Sequence, residues 1–256
     1  KKKLAIKHKH SENKSYAAQV VTEVDIQCQQ IILNTLHPTL QQYNVGLLTE
    51  ELPDDGSRYI KDYFWCIDPL DGTLSFIEEQ EGYAVSIALV ASDGTPVIGV
   101  VYDPANDKLY VASKGNGAFV DNNLVHVKMK DTFHWIMDKS FTQHPQYTTI
   151  KNKITDIALQ LGFKNIKTIH HGGAVMNALW AIEKAPGCYF KLPKREIGGG
   201  CLWDFAATTC IYNELQKPAH DFHQKRLQLN NTQTVFMHQH GVLFASSHSL
   251  SALIST

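Results

Sequence analysis

WCIDPLDGT, residues 65–73, places two acidic side chains around a proline directly after an aromatic, strand-like run. Residues 63–67 are β-prone and predict a buried strand that stops at Asp68. Burying Asp68 and Asp71 close together costs free energy unless a cation lies between them. Pro69 restricts one backbone torsion and so helps to direct both carboxylates to one side. Carboxylate oxygens with a backbone carbonyl between them suit magnesium, while a surface turn before a helix cap is the simpler alternative.

The next two residues predict a phosphate site. Gly72-Thr73 leads toward Phe76, and a helix that begins here would point the amides of Gly72 and Thr73 at a phosphate group. The helix dipole would favour the negative charge. The Thr73 hydroxyl would orient a water molecule. One loop is thus predicted to supply metal ligands, an anion-binding site and a group that positions the nucleophile.

Helices and strands alternate along the rest of the chain. Helical spacing or helix caps predict helices at four places: from Thr22/Asp25 to a point before Pro38, at 150–161, at 172–181 and from Asp204 to Asn213. Strand-like runs lie at 45–49, 83–91, 96–102, 108–113, 118–120, 235–237 and 242–245. A hairpin signal at 92–95 joins two of these runs. Helices mixed with hairpins predict layered α/β architecture rather than a doubly wound sheet.

Composition and charge exclude several classes of protein. The 256 residues carry a formal net charge of -1, so no broad basic field attracts nucleic acid or anionic lipid. Five cysteines without a CxxC pair argue against a disulfide framework or a zinc site and predict a cytoplasmic location. No apolar run approaches the length of a membrane span or signal peptide. Residues 1–15 predict an extended lead-in, and the first residue is not methionine, so a natural N-terminal segment is expected to be missing.

Four motifs in this order resemble the inositol monophosphatase superfamily. Residues 65–73 with Phe76 match W-x-x-D-P-x-D-G-T followed by Phe, and residues 203–207 match W-D-x-A-A. An acidic pair after a strand is present as Glu50-Glu51, and residues 21–25 match V-T-x-x-D. The motifs cover residues 20 to 210, which makes the set far more specific than any one member.

The resemblance implies a site for two or three magnesium ions. The implied ligands are the side chains of Glu50, Asp68, Asp71 and Asp204 and the carbonyl of Leu70, with Asp25 reaching a third ion through water. Thr73 with Glu50 would hold the attacking water, and Glu51 would contact the ligands without binding a metal ion itself. The amides of Gly72 and Thr73 would bind the phosphate group of the substrate, and those of Gly173 and Ala174 would face its sugar or ring.

Four of these acids have simpler interpretations. Asp204 begins a predicted helix and would serve as its cap. Glu50 and Glu51 would lie on a solvated loop, since Pro53-Asp54-Asp55-Gly56 follows. Asp25 would cap the first helix together with Thr22.

The resemblance also implies a fold and partners. The fold would be the layered α/β sandwich of sugar phosphatases, one compact unit with an N-terminal half at 1–138 and a C-terminal half at 139–256 that completes the active site. The implied partner is a small-molecule phosphate ester, with no nucleic acid and no membrane. A homodimer is implied because homodimers are common in this family.

Two branches of the superfamily compete for the substrate. Leu70 and Phe76-Ile77 resemble 3'(2'),5'-bisphosphate nucleotidases, whereas residues 83–87 resemble the inositol branch. The sequence therefore favours a bisphosphate nucleotidase, with an inositol-1-monophosphatase or related sugar phosphatase as the alternative. Lys191, Lys194 and Arg195 would meet a second phosphate or remain solvated. A non-catalytic relative that binds metal or phosphate would be expected to lose Thr73 or Glu50, and both are present.

Overall fold

The structure is a computed structural model that describes residues 6–8 and 20–256. The lead-in predicted for residues 1–15 falls outside the described residues, apart from the backbone of 6–8. The capping side chain predicted at Thr22 also lies outside them.

The described chain alternates strands and helices. The strands are β1 (Ile6–His8), β2 (Val20–Thr22), β3 (Gly46–Thr49), β4 (Tyr63–Asp71), β5 (Ala84–Ala91), β6 (Pro96–Asp103), β7 (Lys108–Ser113), β8 (Ala118–Val120), β9 (Asn123–Leu124), β10 (Thr132–Ile136), β11 (Asn165–Ile169), β12 (Gly187–Lys191), β13 (Ala219–His220) and β14 (Val242–Ala245). The α-helices are α1 (Glu23–Gln42), α2 (Thr73–Ile77), α3 (Tyr147–Gln160), α4 (Ala174–Glu183), α5 (Leu202–Glu214) and α6 (His248–Ser255).

The first large sheet has seven strands in the order β3-β4-β5-β6-β7-β8-β9. β3 pairs with β4 in parallel, and every later neighbour is antiparallel. Residues along β5 alternate between buried and partly exposed positions, because side chains of a strand point to opposite faces of the sheet. The hairpin predicted at 92–95 is confirmed as the connection from β5 to β6.

The second large sheet has five strands in the order β11-β10-β12-β14-β13. β10 is parallel to both of its neighbours, while β14 is antiparallel to both of its own. This mixture of pairings agrees with the predicted absence of a doubly wound sheet.

Helices lie between the two sheets and on both outer sides. α5 packs on β5, β6 and β7, and α4 packs on β10, β12 and β14. On the outside of the first sheet, the Trp65 indole N–H donates to Thr39 Oγ1 of α1 at 2.9 Å. On the outside of the second, Trp135 of β10 shares a core with Ile154 of α3 and Leu250 of α6. The layers follow the order α/β/α/β/α, so the predicted layered α/β sandwich is confirmed.

The end predicted for the first helix is wrong. α1 passes through Pro38 and ends at Gln42. Pro38 removes one backbone donor, but it lies on the exposed side, where water can satisfy the carbonyl one turn earlier. The bond from Trp65 then holds the last turn of α1 against the sheet.

Two strand predictions also differ from the structure. β4 does not stop at Asp68 but continues to Asp71 through an irregular segment. The strand predicted at 235–237 is reduced to an isolated antiparallel bridge between Cys201 and Phe236. Within the described residues, no helix is long and apolar enough to cross a bilayer. The division into halves at residue 138 stays a prediction.

Candidate active site

The irregular end of β4 presents the two acids of the quoted segment. Asp68 pairs with Ser86 and Asp71 pairs with Ala84 on β5, so β4 carries one extra residue between them. Pro69 lies in this bulge, where its missing N–H does not remove a regular ladder bond. The Leu70 amide donates to Asp68 Oδ1 at 3.0 Å, which orients that carboxylate locally.

Asp204 reaches the same place from the first turn of α5. Its Oδ2 accepts a hydrogen bond from the Cys201 amide at 3.0 Å, so it also caps the helix. Each of Asp68, Asp71 and Asp204 contributes one carboxylate oxygen, and these three oxygens lie within 4.8 Å of one another. The fold therefore gathers three acids from two distant parts of the chain.

Backbone amides at the start of α4 hold Asp71 in place. Its Oδ1 accepts from Ala174 N at 3.1 Å and its Oδ2 from Val175 N at 2.8 Å. This approach requires glycine at 173, since a Cβ there would lie 2.2 Å from Asp71 Oδ2 and 2.6 Å from Gly72 Cα. The glycine allows α4 to begin directly against the bulge of β4.

Burial raises the pKa of all three acids, and repulsion from other carboxylates of the site adds to this effect at Asp68 and Asp71. Burial raises the pKa of Asp68 well above its ordinary value, and the charges of Glu50, Asp71 and Asp204 raise it further. Burial and Asp204 raise the pKa of Asp71 to about 8 against the opposing effects of its amide donors and Lys191. Burial raises the pKa of Asp204 to about 6, while Lys191 and the Cys201 amide oppose it. The cluster therefore lacks the positive charge that would stabilise its three carboxylates in the ionised form.

Glu50, a further predicted acidic ligand, lies where β3 ends. Glu50 directly follows β3, and its amide donates to the Ile67 carbonyl of β4 at 3.2 Å. Its charge raises the pKa of Asp68, which places it beside the cluster. The next amide, that of Glu51, donates to Gln29 Oε1 of α1 at 3.3 Å. The turn that carries both glutamates is thereby tied to α1 as well as to β4.

Thr73 has a partner that the sequence analysis did not assign to it. Its Oγ1 lies 3.1 Å from Asp25 Oδ1 and 3.2 Å from the Leu70 carbonyl oxygen. Asp25, in the first turn of α1, is only 2% exposed. The sequence paired Thr73 with Glu50 and gave Asp25 to a third ion. No local pattern indicates the contact between Thr73 and Asp25, because it joins two separate motifs.

The amides predicted to meet the substrate ring already have partners. Gly173 N donates to the Gly82 carbonyl at 2.7 Å, and Ala174 N donates to Asp71. A role for these amides as substrate donors would require both bonds to be exchanged. Gly72 lies at the start of α2 with φ of 81°, in the left-handed region that glycine adopts most easily. The substrate contacts stay a prediction.

The structure separates the basic group predicted near the second motif. Lys194 and Arg195 are exposed, whereas the side chain of Lys191 is only 16% exposed and forms an ion pair with Asp138 Oδ2. Tyr189 donates its hydroxyl proton to Asp138 Oδ1 at 2.9 Å. Asp138 was not singled out from the sequence, since nothing around it indicates that it would face Lys191.

The donor set fits a hard divalent cation. Three carboxylates converge at distances that one or two ions can bridge, and burial makes their shared negative charge costly without a cation. Magnesium prefers such oxygen ligands and retains water in part of its coordination shell. Fold and site together define a layered α/β protein with a carboxylate site for divalent cations.

Comparison with known proteins gives the same picture. Residues 1–254 match the sequence profile of the inositol monophosphatase family. The inositol-1-monophosphatase of Bacillus subtilis is 25% identical over 205 residues, which cover 80% of this chain and 73% of that protein. Extragenic suppressor protein suhB from Bartonella henselae superimposes with a TM-score of 0.70 at 21% identity, covering 98% of this chain and 87% of that one. A dual-function inositol monophosphatase/NADP phosphatase, solved with Mg²⁺ and phosphate, has a TM-score of 0.70 at 19% identity over 98% of this chain and 85% of its own.

This chain belongs to the inositol monophosphatase family, as its four motifs predicted. Members of the family are magnesium-dependent phosphomonoester hydrolases that act on small phosphate esters. The protein is accordingly a magnesium-dependent phosphatase, and the predicted reaction class is confirmed.

Proposed function

We propose that this phosphatase hydrolyses the phosphate ester of a small polyol, with inositol 1-phosphate as the first substrate to test. The observation that carries the proposal is the convergence of Asp68, Asp71 and Asp204 on one point beside Thr73. The inositol monophosphatase of B. subtilis, 25% identical, supports the choice of substrate class.

The ligand roles proposed for this site follow from its donors. Asp68, Asp71, Asp204, Glu50 and the Leu70 carbonyl would hold two or three magnesium ions. Bound magnesium would supply the positive charge that phosphoryl transfer requires at the attacking and leaving oxygens. Glu51 and Gln29 would keep the turn at the end of β3 in position.

Thr73 and Asp25 would position the attacking water. When the Thr73 hydroxyl donates a hydrogen bond to Asp25 Oδ1, the lone pairs of Oγ1 can accept a hydrogen bond from water and aim the water oxygen at phosphorus. Attack would form the new P–O bond as the ester P–O bond breaks on the opposite side. The attacking water would pass a proton through the Thr73 hydroxyl to Asp25, and the departing alkoxide would take a proton from solvent and leave as the alcohol. The amides of Gly72 and Thr73 would donate to the phosphate oxygens.

The 3'(2'),5'-bisphosphate nucleotide remains the second candidate substrate. Leu70 and Phe76-Ile77 favour it, but the pairing of Lys191 with Asp138 makes this lysine less available to a second phosphate. An ammonium already neutralised by a carboxylate attracts another anion less strongly than a free one.

Phosphate release from three substrates, with and without magnesium, tests the proposal. The set contains inositol 1-phosphate, adenosine 3',5'-bisphosphate and fructose 1,6-bisphosphate. We expect the highest kcat/KM for inositol 1-phosphate, no turnover in EDTA, and no turnover by Asp71→Asn although its fold persists. Preference for the adenosine nucleotide would transfer the assignment to the second candidate, and an active Asp71→Asn protein would refute the ligand assignment.

Two broader expectations belong to the same proposal. A homodimer is implied by the family, and sedimentation of the purified protein tests it. A cytoplasmic location is predicted from the five cysteines, all of which are free thiols in the structure.

A further inference from the structure

A buried hydroxyl group joins the two segments that border the carboxylate cluster. Ser75 lies at the centre of α2, two residues after Thr73, and is only 4% exposed. Its Oγ donates a hydrogen bond to the carbonyl oxygen of His171, which lies 96 positions further along the chain in the loop before α4. The bond therefore connects the helix that carries Thr73 with the segment that leads into α4.

The segment that begins at His171 ends on a proposed metal ligand. Only the glycines at 172–173 separate His171 from Ala174. The amide of Ala174 donates to Asp71 Oδ1 at 3.1 Å, and that of Val175 donates to Asp71 Oδ2 at 2.8 Å. The buried hydroxyl thus fixes the chain three residues before the first amide that holds this carboxylate, and every link in between is a covalent bond or a hydrogen bond.

Close backbone contacts leave this segment little room to shift. The Gly173 amide donates to the Gly82 carbonyl at 2.7 Å. A Cβ at Gly82 would lie 2.7 Å from Gly172 Cα. One at Gly72 would lie 3.2 Å from Gly173 Cα. Because these backbones are already in contact, a displacement at His171 must move the start of α4 or the loop around Gly72 with it.

The side chain of His171 is held less firmly than its carbonyl. Its ring packs on Trp180 with ring centroids 5.0 Å apart, and its Nε2 lies 3.3 Å from Glu81 Oε1. The His171 and Glu81 side chains are 34% and 47% exposed, and an exposed pair of this kind contributes little to stability. The bond from Ser75, which is shielded from water, is therefore the firmer attachment at His171.

We propose that Ser75 is a positioning residue that holds the start of α4 in the place where its amides orient Asp71 toward a magnesium ion. The inference rests on the proposed function for the role of Asp71 as a ligand. Ser75 is not itself a ligand, because it acts through the His171 carbonyl and the amides of Ala174 and Val175. Without the hydroxyl, that carbonyl loses a donor, the start of α4 moves more freely, and Asp71 spends less time in the orientation that binds the ion.

Tyr212→Phe is the matched control. The Tyr212 hydroxyl donates to the Ala178 carbonyl of α4 at 2.6 Å, and Tyr212 is fully buried. Like Ser75→Ala, this substitution removes one buried hydroxyl that donates to a backbone carbonyl. The carbonyl in the control belongs to the second turn of α4 rather than to the segment before the helix. A general loss of stability should therefore appear in both variants.

Amide hydrogen exchange in metal-free protein follows the amides of Ala174 and Val175. We expect both to exchange about three- to tenfold faster in Ser75→Ala than in Tyr212→Phe, since the loss of one hydrogen bond changes a local opening equilibrium by this order. The exchange is measured without magnesium, so it reports on the position of α4 and not on the ion.

Calorimetric titration of Mg²⁺ measures the consequence for the metal site. Ser75→Ala should raise the dissociation constant about three- to tenfold, whereas Tyr212→Phe should change it less than about twofold. Ser75→Cys keeps a weaker donor of similar size, so its dissociation constant should lie between those of the parent and Ser75→Ala.

The inference is overturned if Ser75→Ala matches Tyr212→Phe in either measurement while Asp71→Asn abolishes magnesium binding. If Asp71→Asn binds Mg²⁺ like the parent, the proposed metal site itself fails, and the exchange rates still decide whether Ser75 holds the start of α4. Thermal melting verifies that each variant is folded, and Ser75→Cys takes the place of Ser75→Ala if the alanine variant does not fold.

Discussion

The surroundings of Thr73 fix the direction in which its hydroxyl group donates a hydrogen bond. Asp25 Oδ1 and the Leu70 carbonyl are both within hydrogen-bond distance of its Oγ1, and both can only accept. The hydroxyl must therefore donate to one of them, and its lone pairs remain for a water molecule. The arrangement is built from α1, β4 and α2, so its geometry depends on how three elements meet.

Thr73→Ala should lower kcat by about 10²–10³-fold, as expected for loss of a group that assists proton transfer. KM should change by less than about threefold, because the interaction matters mainly in the transition state. Steady-state kinetics at saturating magnesium measures both constants. Thr73→Ser keeps the hydroxyl and should retain most of the rate. A variant with unchanged kcat and a raised KM would show that Thr73 binds the substrate rather than orienting water.

At the scale of elements, the distance between α5 and the first sheet decides where Asp204 lies. Gly99 of β6 faces α5, and a Cβ there would come within 2.5 Å of the Ala207 carbonyl and 2.8 Å of Cys210 Cβ. Ala206 and Ala207, from the W-D-x-A-A motif, are fully buried at this contact. Small side chains on both elements let the helix approach closely, and the first turn of the helix carries Asp204.

Gly99→Ala should destabilise the fold by about 1–3 kcal/mol, since an overpacked contact must be relieved by moving backbone. It should also weaken magnesium binding, because α5 is displaced together with Asp204. Urea unfolding and calorimetry measure the two effects. Gly115→Ala is the control: nothing lies within 4 Å of its Cβ position, and its φ of +82° costs only backbone strain. Equal magnesium affinity in Gly99→Ala and the parent would contradict the proposed link between packing and the site.

At the scale of the whole molecule, Arg58 joins distant parts of the chain. Its side chain is 1% exposed, and its Nε donates to Asp54 at 2.7 Å while Nη1 donates to Asn230 at 2.7 Å and to the Asn231 carbonyl at 3.0 Å. A buried guanidinium is stable only when its donors are satisfied, so the segment after β3 and the loop around residue 230 are fixed together.

Arg58→Ala should lower the free energy of unfolding by about 2–4 kcal/mol, through lost hydrogen bonds and unpaired acceptors. Arg226→Ala is the matched control. The Arg226 side chain is 50% exposed, and its guanidinium donates hydrogen bonds to Thr95 Oγ1 and to the Asp93 carbonyl. That exposed pair should contribute less than about 1 kcal/mol. Urea unfolding measures the free energy of unfolding of both variants. Similar losses of this free energy in the two would argue against a special role for the buried arginine.

The acidic cluster should make the stability of the metal-free protein fall as pH rises. Asp71 and Asp204, with pKa values of about 8 and about 6, bind protons in the folded state that an unfolded aspartate has already released. The folded state therefore holds more protons between about pH 4 and pH 8, and the free energy of unfolding decreases across this window.

In EDTA, raising the pH from 6 to 8.5 should remove on the order of 2 kcal/mol, or about 4–8 °C in Tm. Excess magnesium should raise Tm more at pH 8.5 than at pH 6, because the ion binds the deprotonated carboxylates and stabilises the folded state that holds it. Thermal melting at each pH gives the values. Asp71→Asn should show a smaller pH dependence, and a parent protein with no pH dependence would contradict the shifted pKa values.

The sequence by itself determined the local features of this protein. The strand at 63–67, the hairpin at 92–95 and the helical periodicity at 150–161 depend on neighbours in the chain, and each lies in the element predicted for it. The four motifs also sufficed to indicate the family. The errors at Pro38 and Asp68 are local as well: the packing of Trp65 on α1 holds that helix beyond its proline, and the pairing of β4 with β5 extends the strand through its bulge.

Only the tertiary structure decided which distant side chains meet. Asp204 reaches Asp68 because α5 packs closely on the first sheet, and Thr73 faces Asp25 because α1 and α2 meet at one end of β4. The pair of Lys191 and Asp138 arises where β12 lies beside the segment that follows β10. None of these contacts leaves a periodic or short-range pattern in the chain, because each depends on the angles and distances at which whole layers pack.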